Sequence, residues 1–179
     1  METIPVTPRA QFERVKARAN STAPEVWQLL DDVADPEIPV LSIWDIGILR
    51  NVSEQDGKVL VTITPTYSGC PAVETIKEDI IALLSQAGYT NVEVKTSLFP
   101  PWSTDDMSES GQRKLREYGI APPSDSPSTC LRLTPEQGVR CPHCGSSNTT
   151  RISEFGSTAC KALFRCESCL EAFDFFKCL

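Results

Sequence analysis

The sequence predicts an α+β fold in two parts, a small α-β-β-α-β unit with a mixed sheet followed by a shorter cysteine-rich β unit. Three observations predict it. Two stretches place apolar residues at helical spacing, Val26, Leu29, Leu30 and Val33 in the first and Val73, Ile76, Ile80, Leu83 and Leu84 in the second. Three shorter runs, 48–53, 58–64 and 92–98, read as strands, the last two by their alternation. Four of the eight cysteines fall into two Cys-x-x-Cys pairs beyond a proline- and serine-rich stretch.

Composition sets the outer limits. At 179 residues, 40% hydrophobic and 23% charged, the chain suits one soluble domain of ordinary size plus something small. No apolar run approaches the roughly 20 residues that span a bilayer, and the first residues lack the order of a secretory signal. A cytoplasmic home is therefore expected, with no membrane contact. A net charge of −7 argues against general attraction to nucleic acid. In a reducing compartment eight cysteines point to metal or thiol chemistry rather than a disulfide framework. His143 is the one histidine, which excludes mechanisms that need several imidazoles.

Residues 1–21 are polar, with Pro5 and Pro8 near the start, and read as a flexible tail with weak helical character over 11–18. Thr22 and Glu25 form a capping-box pattern opening a helix that ends near Ala34. Pro36 and Pro39 then forbid regular hydrogen bonding and force an extended, turning connection. Asp35 and Glu37 are a carboxylate pair or simply a helix exit and its solvated loop, and spacing alone favours the loop. Asp56-Gly57 joins the first two strands as a hairpin. The crossover helix, stopped at Gly88, makes the pair 58–64 and 92–98 parallel. Ser103 or Thr104 caps a further helix to about Tyr118, ended by Gly119, with Trp102 anchoring it to the sheet rather than forming a ligand lid. The expected domains are 22–120 and 140–179, with 121–139 as linker.

Residues 64–72, TPTYSGCPA, put Cys70 at a strand-to-helix turn with Pro71 suited to the first helical position. The helix end favours a thiolate, Gly69 permits a tight turn, and Thr66 and Ser68 can donate hydrogen bonds to whatever the sulfur holds. Burial as a small apolar residue is the alternative, and local context leaves both open.

In the C-terminal part, Cys141 and Cys144 are separated from Cys166 and Cys169 by 21 residues. Two such pairs offer four thiolates to one ion in a closed tetrahedral site, which predicts a structural zinc ribbon with strands at 149–155, 162–165 and 172–176. Residues 140–179 are too few to bury a sufficient core, so metal binding would supply the missing stability. Iron remains open as the metal because sulfur ligands select both. His143 reads as a surface residue of the knuckle. Of the remaining cysteines, Cys160 lies beside Lys161, a cation able to stabilise a thiolate. With Cys70 and Cys178 it could form a second metal or iron–sulfur site. Cys130 has no assigned role.

With DPEIPVLSIWDIGILRNV, TPTYSGCPA and the closing ISEFGSTACKALFRC and FDFFKC in view, the chain from about Pro24 onward resembles the PaaD (PaaJ) subunits of bacterial phenylacetyl-CoA epoxidase systems. Its first part resembles the wider SufT-like iron–sulfur assembly family through Asp35 to Glu37, Asp45-Ile46-Gly47 and Cys70. The resemblance implies a non-catalytic maturation factor acting on the iron–sulfur cluster of a reductase subunit or the di-iron site of an oxygenase subunit. Cys70 would be the transfer ligand for transient iron or a cluster, and Asp35 and Glu37 would orient the loop or meet a partner. A purely structural subunit and a thiol redox protein using Cys70 with Cys160 or Cys178 are the rival readings. Whether the chain forms a homodimer is open.

Overall fold

The computed structural model describes residues 8–123 and 139–178, which form two compact units divided between Ser108 and Glu109. The first carries α1 (Arg9–Ala19), α2 (Pro24–Leu30), β1 (Ala34–Asp35), β2 (Ile38–Ser42), β3 (Leu49–Gln55), β4 (Lys58–Ile63), α3 (Ala72–Gln86), β5 (Val92–Thr96) and a 3₁₀ turn at Thr104–Asp106. The expected mixed sheet is present: β3 pairs antiparallel with β4, and β4 pairs parallel with β5. Asp56 and Gly57 both have positive φ, 51° and 73°, as a hairpin turn matched to strand twist requires. Val59, Val61 and Ile63 are buried on one face of β4, and α3 buries Ala72, Ile76, Ile80 and Leu84. Trp27 and Leu30 of α2 complete this core.

Several local expectations are corrected. Residues 9–19 are not a loose tail but the helix α1, and it buries Arg14 at 3% exposure; residues 1–7 lie outside the described chain. The Thr22–Glu25 capping box does not form. Ala23 is the N-cap of α2, while Thr22 donates to the carbonyl of Glu54 and Ser21 to that of Val52, so the β3 edge takes both hydroxyls. Helix α2 stops at Leu30, and the segment with two prolines is itself a short hairpin in which Asp35 pairs with Ile38. Its turn is closed by Asp35 Oδ1, which accepts the N–H groups of Glu37 at 2.8 Å and Ile38 at 2.9 Å. A side-chain acceptor replaces the backbone bonds that proline denies. The single helix expected after Trp102 is broken at Met107, whose ψ of 136° is extended, leaving the 3₁₀ turn capped by Ser103 and Asp106.

Residues 102–108 are fastened to the loop Asp45-Ile46-Gly47. Trp102, 5% exposed, donates its indole N–H to the Ile46 carbonyl at 2.9 Å, so it anchors its segment to this loop rather than a helix to the sheet. Ser108 donates its N–H to the Asp45 carbonyl at 2.9 Å and its hydroxyl to the Asp45 carboxylate at 2.8 Å. Gly47, at φ 86°, lies so close that a Cβ there would stand 2.5 Å from the Asp106 carbonyl oxygen. Beneath this strap Asp106 pairs through both carboxylate oxygens with Arg50. Arg14 donates to the carbonyls of Asp106, Leu49 and Trp44 and lies 4.2 Å from the Trp44 ring centroid. Burial lowers the Arg14 pKa to about 10 and Asp106 opposes that shift, so Arg14 is a cation at neutral pH.

The second unit begins with α4 (Glu109–Tyr118), which the sequence groups with the first domain. It stays with the C-terminal part because the chain leaving it joins the ribbon. Ala121 donates to the Asp174 carbonyl at 2.8 Å and accepts from Phe176 N–H at 2.9 Å. The expected linker therefore starts with packed residues, and 124–138, including Cys130, lie outside the described chain. Strands β6 (Thr149–Ser153), β7 (Lys161–Cys166) and β8 (Ala172–Phe176) form an antiparallel sheet in the order β6-β7-β8. Phe164 stacks on Phe173 and meets Phe175 edge-on, in a small cluster that includes Cys141 and Cys166.

Replacing Arg14 by Leu strands three carbonyl acceptors and part of the Asp106 charge. Urea denaturation should show a loss of about 2–3 kcal/mol, whereas Arg9→Ala, at an exposed site, should stay within about 0.5 kcal/mol.

Candidate metal centre and the Cys70 turn

The two Cys-x-x-Cys turns are built alike. Cys141 donates its N–H to the Ser146 carbonyl and accepts from Gly145; Cys166 donates to the Glu171 carbonyl and accepts from Leu170, all at 2.9 Å. Gly145 and Leu170 occupy the same left-handed position, at φ 75° and 66°. Ser146 and Ser168 hydroxyls, 2.8 Å apart, tie one turn to the other. The outcome is that the sulfurs of Cys141, Cys144, Cys166 and Cys169 lie within 4.8 Å of one another.

This donor set fits the predicted ion. Four sulfurs at about 2.3 Å from a tetrahedral zinc stand about 3.8 Å apart, and Cys141–Cys169 and Cys144–Cys166 are separated by 3.8 Å and 3.5 Å. Every ligand is a thiolate, which leaves no open coordination position. The Cys169 N–H aimed at its sulfur is the first cause that draws the Cys166 thiol down to about 6, with further help from the Ser168 N–H. The Glu171 N–H favours the Cys169 thiolate, but burial and the neighbouring sulfurs outweigh it and push that thiol up to about 12. His143 is exposed and beside Gly119, as a residue of the knuckle surface.

The other predicted site residues are placed separately. Cys70 precedes the first turn of α3, where Pro71 occupies the N-cap with helical φ and ψ. Its N–H donates to the Tyr67 carbonyl at 3.2 Å, and its carbonyl accepts from Val73 at 3.4 Å. The thiol is half-buried and not in a disulfide; Ser68, Gly69 and Pro71 around it are exposed, while Thr66 is buried. The sulfur is thus not sealed in apolar packing. Thr64, directly after β4, is buried, and among the described residues its hydroxyl has no hydrogen-bond partner. Asp35 is buried as the turn acceptor and Glu37 is half-buried.

Cys160 and Cys178 are close to the same end of the β7–β8 pair, where Lys177 N–H donates to the Cys160 carbonyl. Cys160 is buried, its sulfur 3.0 Å from the Thr158 hydroxyl. Cys178 is disulfide-bonded, so the possible second metal site with Cys160 is corrected: this sulfur is not a ligand or a thiol in this structure. Lys161 has its own acidic neighbour. It is buried with its ammonium 3.9 Å from Asp174, whose carboxylate also accepts from the Ser157 hydroxyl at 2.7 Å.

Fold and site together define a two-part protein of the iron–sulfur assembly class: residues 24–96 match the family described as iron-sulfur cluster assembly protein, and residues 125–177 match the PaaD zinc beta ribbon domain. Along nearly its whole length the chain is 49% identical to the D subunit of the putative 1,2-phenylacetyl-CoA epoxidase of Escherichia coli, over 94% of this chain and 100% of that one. It belongs to that PaaD family of epoxidase subunits. Its first part is also 38% identical to an Fe-S protein maturation auxiliary factor of Porphyromonas gingivalis (52% of this chain, 90% of that one). An Fe-S protein maturation auxiliary factor of Bacillus subtilis is 35% identical over 44% of this chain and 78% of its own. No helix among the described residues is long and apolar enough to cross a membrane.

Two outcomes follow for the tail. A left-handed conformation costs a residue with a side chain about 1–2 kcal/mol, and glycine escapes that cost at some loss of chain entropy. Gly145→Ala should lower the thermal midpoint of the metal-loaded protein and Leu170→Gly should raise it slightly. Zinc binding to the metal-free chain displaces protons from the raised Cys144 and Cys169 thiols, so affinity should rise with pH. Calorimetry in buffers of different ionisation enthalpy should register the released protons.

Proposed function

We propose that this protein is a non-catalytic accessory factor of a phenylacetyl-CoA epoxidase system, helping to assemble the iron–sulfur cluster or di-iron centre of a client subunit in phenylacetate catabolism. The observation that carries the proposal is the Cys70 turn. A half-exposed thiol at a helix start, flanked by exposed Ser68 and Gly69, stands in the part of the chain that matches the iron–sulfur assembly family. Such a sulfur can take up a soft metal and release it, because one ligand and a mobile solvent shell hold cargo less firmly than four thiolates.

In this reading Cys70 is the transfer ligand for iron or a cluster, which is cargo rather than resident cofactor. Asp35 orients the neighbouring hairpin, and Glu37, Thr66 and Ser68 shape the approach. The tail binds one zinc per chain through Cys141, Cys144, Cys166 and Cys169 and serves as a staple. The reductase and oxygenase subunits are the partners, and the cytoplasm is the compartment. Cys160 and Cys178 have no part in the transfer.

Anaerobic purification with metal analysis and absorption spectroscopy, wild type beside Cys70→Ser, tests the reading. Both proteins should carry about one zinc, the number a closed four-thiolate site takes, and additional labile iron should appear only in the wild type. A Cys70→Ser variant that keeps the iron and fully supports client maturation would instead favour a structural subunit. Zinc persisting after both Cys-x-x-Cys pairs are changed would remove the tail assignment.

A further inference from the structure

Strand β5 (Val92–Thr96) is an edge strand, and among the described residues no strand pairs with its outer side. Its polarity of display follows from two hydrogen bonds. The Asn91 carbonyl accepts from Val59, and Ser97 N–H donates to the Ile63 carbonyl, both at 2.8 Å. Odd-numbered residues therefore turn their backbone groups toward β4, and those of Val92, Val94 and Thr96 point outward. Native proteins usually blunt such an edge with proline, a bulge or charged side chains that repel a like edge. Here there is no proline or bulge, and the two charged side chains, Glu93 and Lys95, have opposite signs.

We propose that the outer edge of β5 pairs antiparallel with β5 of a second copy of this chain, centred on Val94, to make one continuous sheet across a two-fold axis. In that register Val94 faces Val94 of the second copy and Val92 faces its Thr96, so every outward backbone group on the strand exchanges hydrogen bonds. Glu93 then stands opposite Lys95 of the second copy, and Lys95 opposite its Glu93, at the closer, non-hydrogen-bonded positions where side chains interact most. Sliding the strands by two residues keeps the hydrogen bonds in phase but sets Glu93 against Glu93 or Lys95 against Lys95. Sliding by one sets outward backbone groups against inward ones. Charge and backbone parity thus select a single register, and the pairing is isologous, as a closed dimer requires.

Both charged groups are available for it. Glu93 and Lys95 side chains are 37% and 58% exposed, and their bridges within the chain, Glu93 to Lys58 at 2.5 Å and to Lys95 at 3.4 Å, lie on the sheet surface. A five-residue edge buries less area than a standard interface, so the dimer forms with modest affinity and in a concentration-dependent way.

Sedimentation velocity of the full chain over a range of concentrations and salt tests this. The wild type should pass from monomer to dimer as concentration rises, less readily at high salt. Lys95→Glu or Glu93→Lys should each weaken association about tenfold by turning both cross-strand pairs repulsive, and the double variant Glu93→Lys/Lys95→Glu should recover wild-type association. Amide exchange at Val92, Val94 and Thr96 should slow with concentration in the unmodified protein, a readout that does not depend on any variant folding. A wild type that stays monomeric throughout, a single charge reversal without effect, or a double variant that fails to recover would each overturn the proposal.

Discussion

Four sulfur atoms drawn within 4.8 Å of one another are the constraint on which the second unit depends. Its strands are short and its apolar cluster is small, so burial alone would not fix a sheet of this size. The two turns solve the problem with one repeated hydrogen-bond pattern, the second keeping Leu170 in a conformation that glycine adopts more readily. Bringing four thiols together without an ion disfavours ionising them all, since burial and the neighbouring sulfurs hold the Cys169 thiol raised. An ion that needs all four as thiolates removes the conflict and supplies folding free energy.

The first unit is held by other means. It has its own apolar core, and its irregular parts converge on Asp106, which receives Arg50 at its carboxylate and Arg14 at its carbonyl. Through that residue the N-terminal helix and the strap 102–108 are locked onto the loop that follows β2. The cost of burying Arg14 is offset because its guanidinium donors reach three different carbonyls and its central carbon lies over the Trp44 ring. The Cys70 turn, which follows β4 in sequence, stands apart from this network, with exposed Ser68, Gly69 and Pro71 flanking a half-buried thiol.

Regular periodicity makes much of this legible in the sequence. The Asp56-Gly57 hairpin, the parallel crossover and the α3 stripe follow from local pattern, and the tail site follows from cysteine spacing alone. What periodicity hides is held by polar contacts distant in sequence. Arg14 reads as one charge among many until Leu49, Trp44 and Asp106 are brought to it. Thr22 looks like a cap until β3 offers it the Glu54 carbonyl. Asp45-Ile46-Gly47 stands out only through family resemblance, and its physical reason, close approach of the Asp106 backbone to Gly47, is invisible without coordinates. The Cys178 disulfide and the turn of Lys161 toward Asp174 are hidden for the same reason.

Behind the proposed activity is a contrast between two kinds of sulfur site, a closed one that keeps its ion and an open one that gives it up. A chelator challenge of the anaerobically loaded, full-length protein, following zinc and iron release together over time, measures that contrast directly. Iron should leave quickly and completely while zinc and the β6–β8 sheet persist. Zinc leaving as fast as iron, or iron retained until the tail cysteines are lost, would contradict the account.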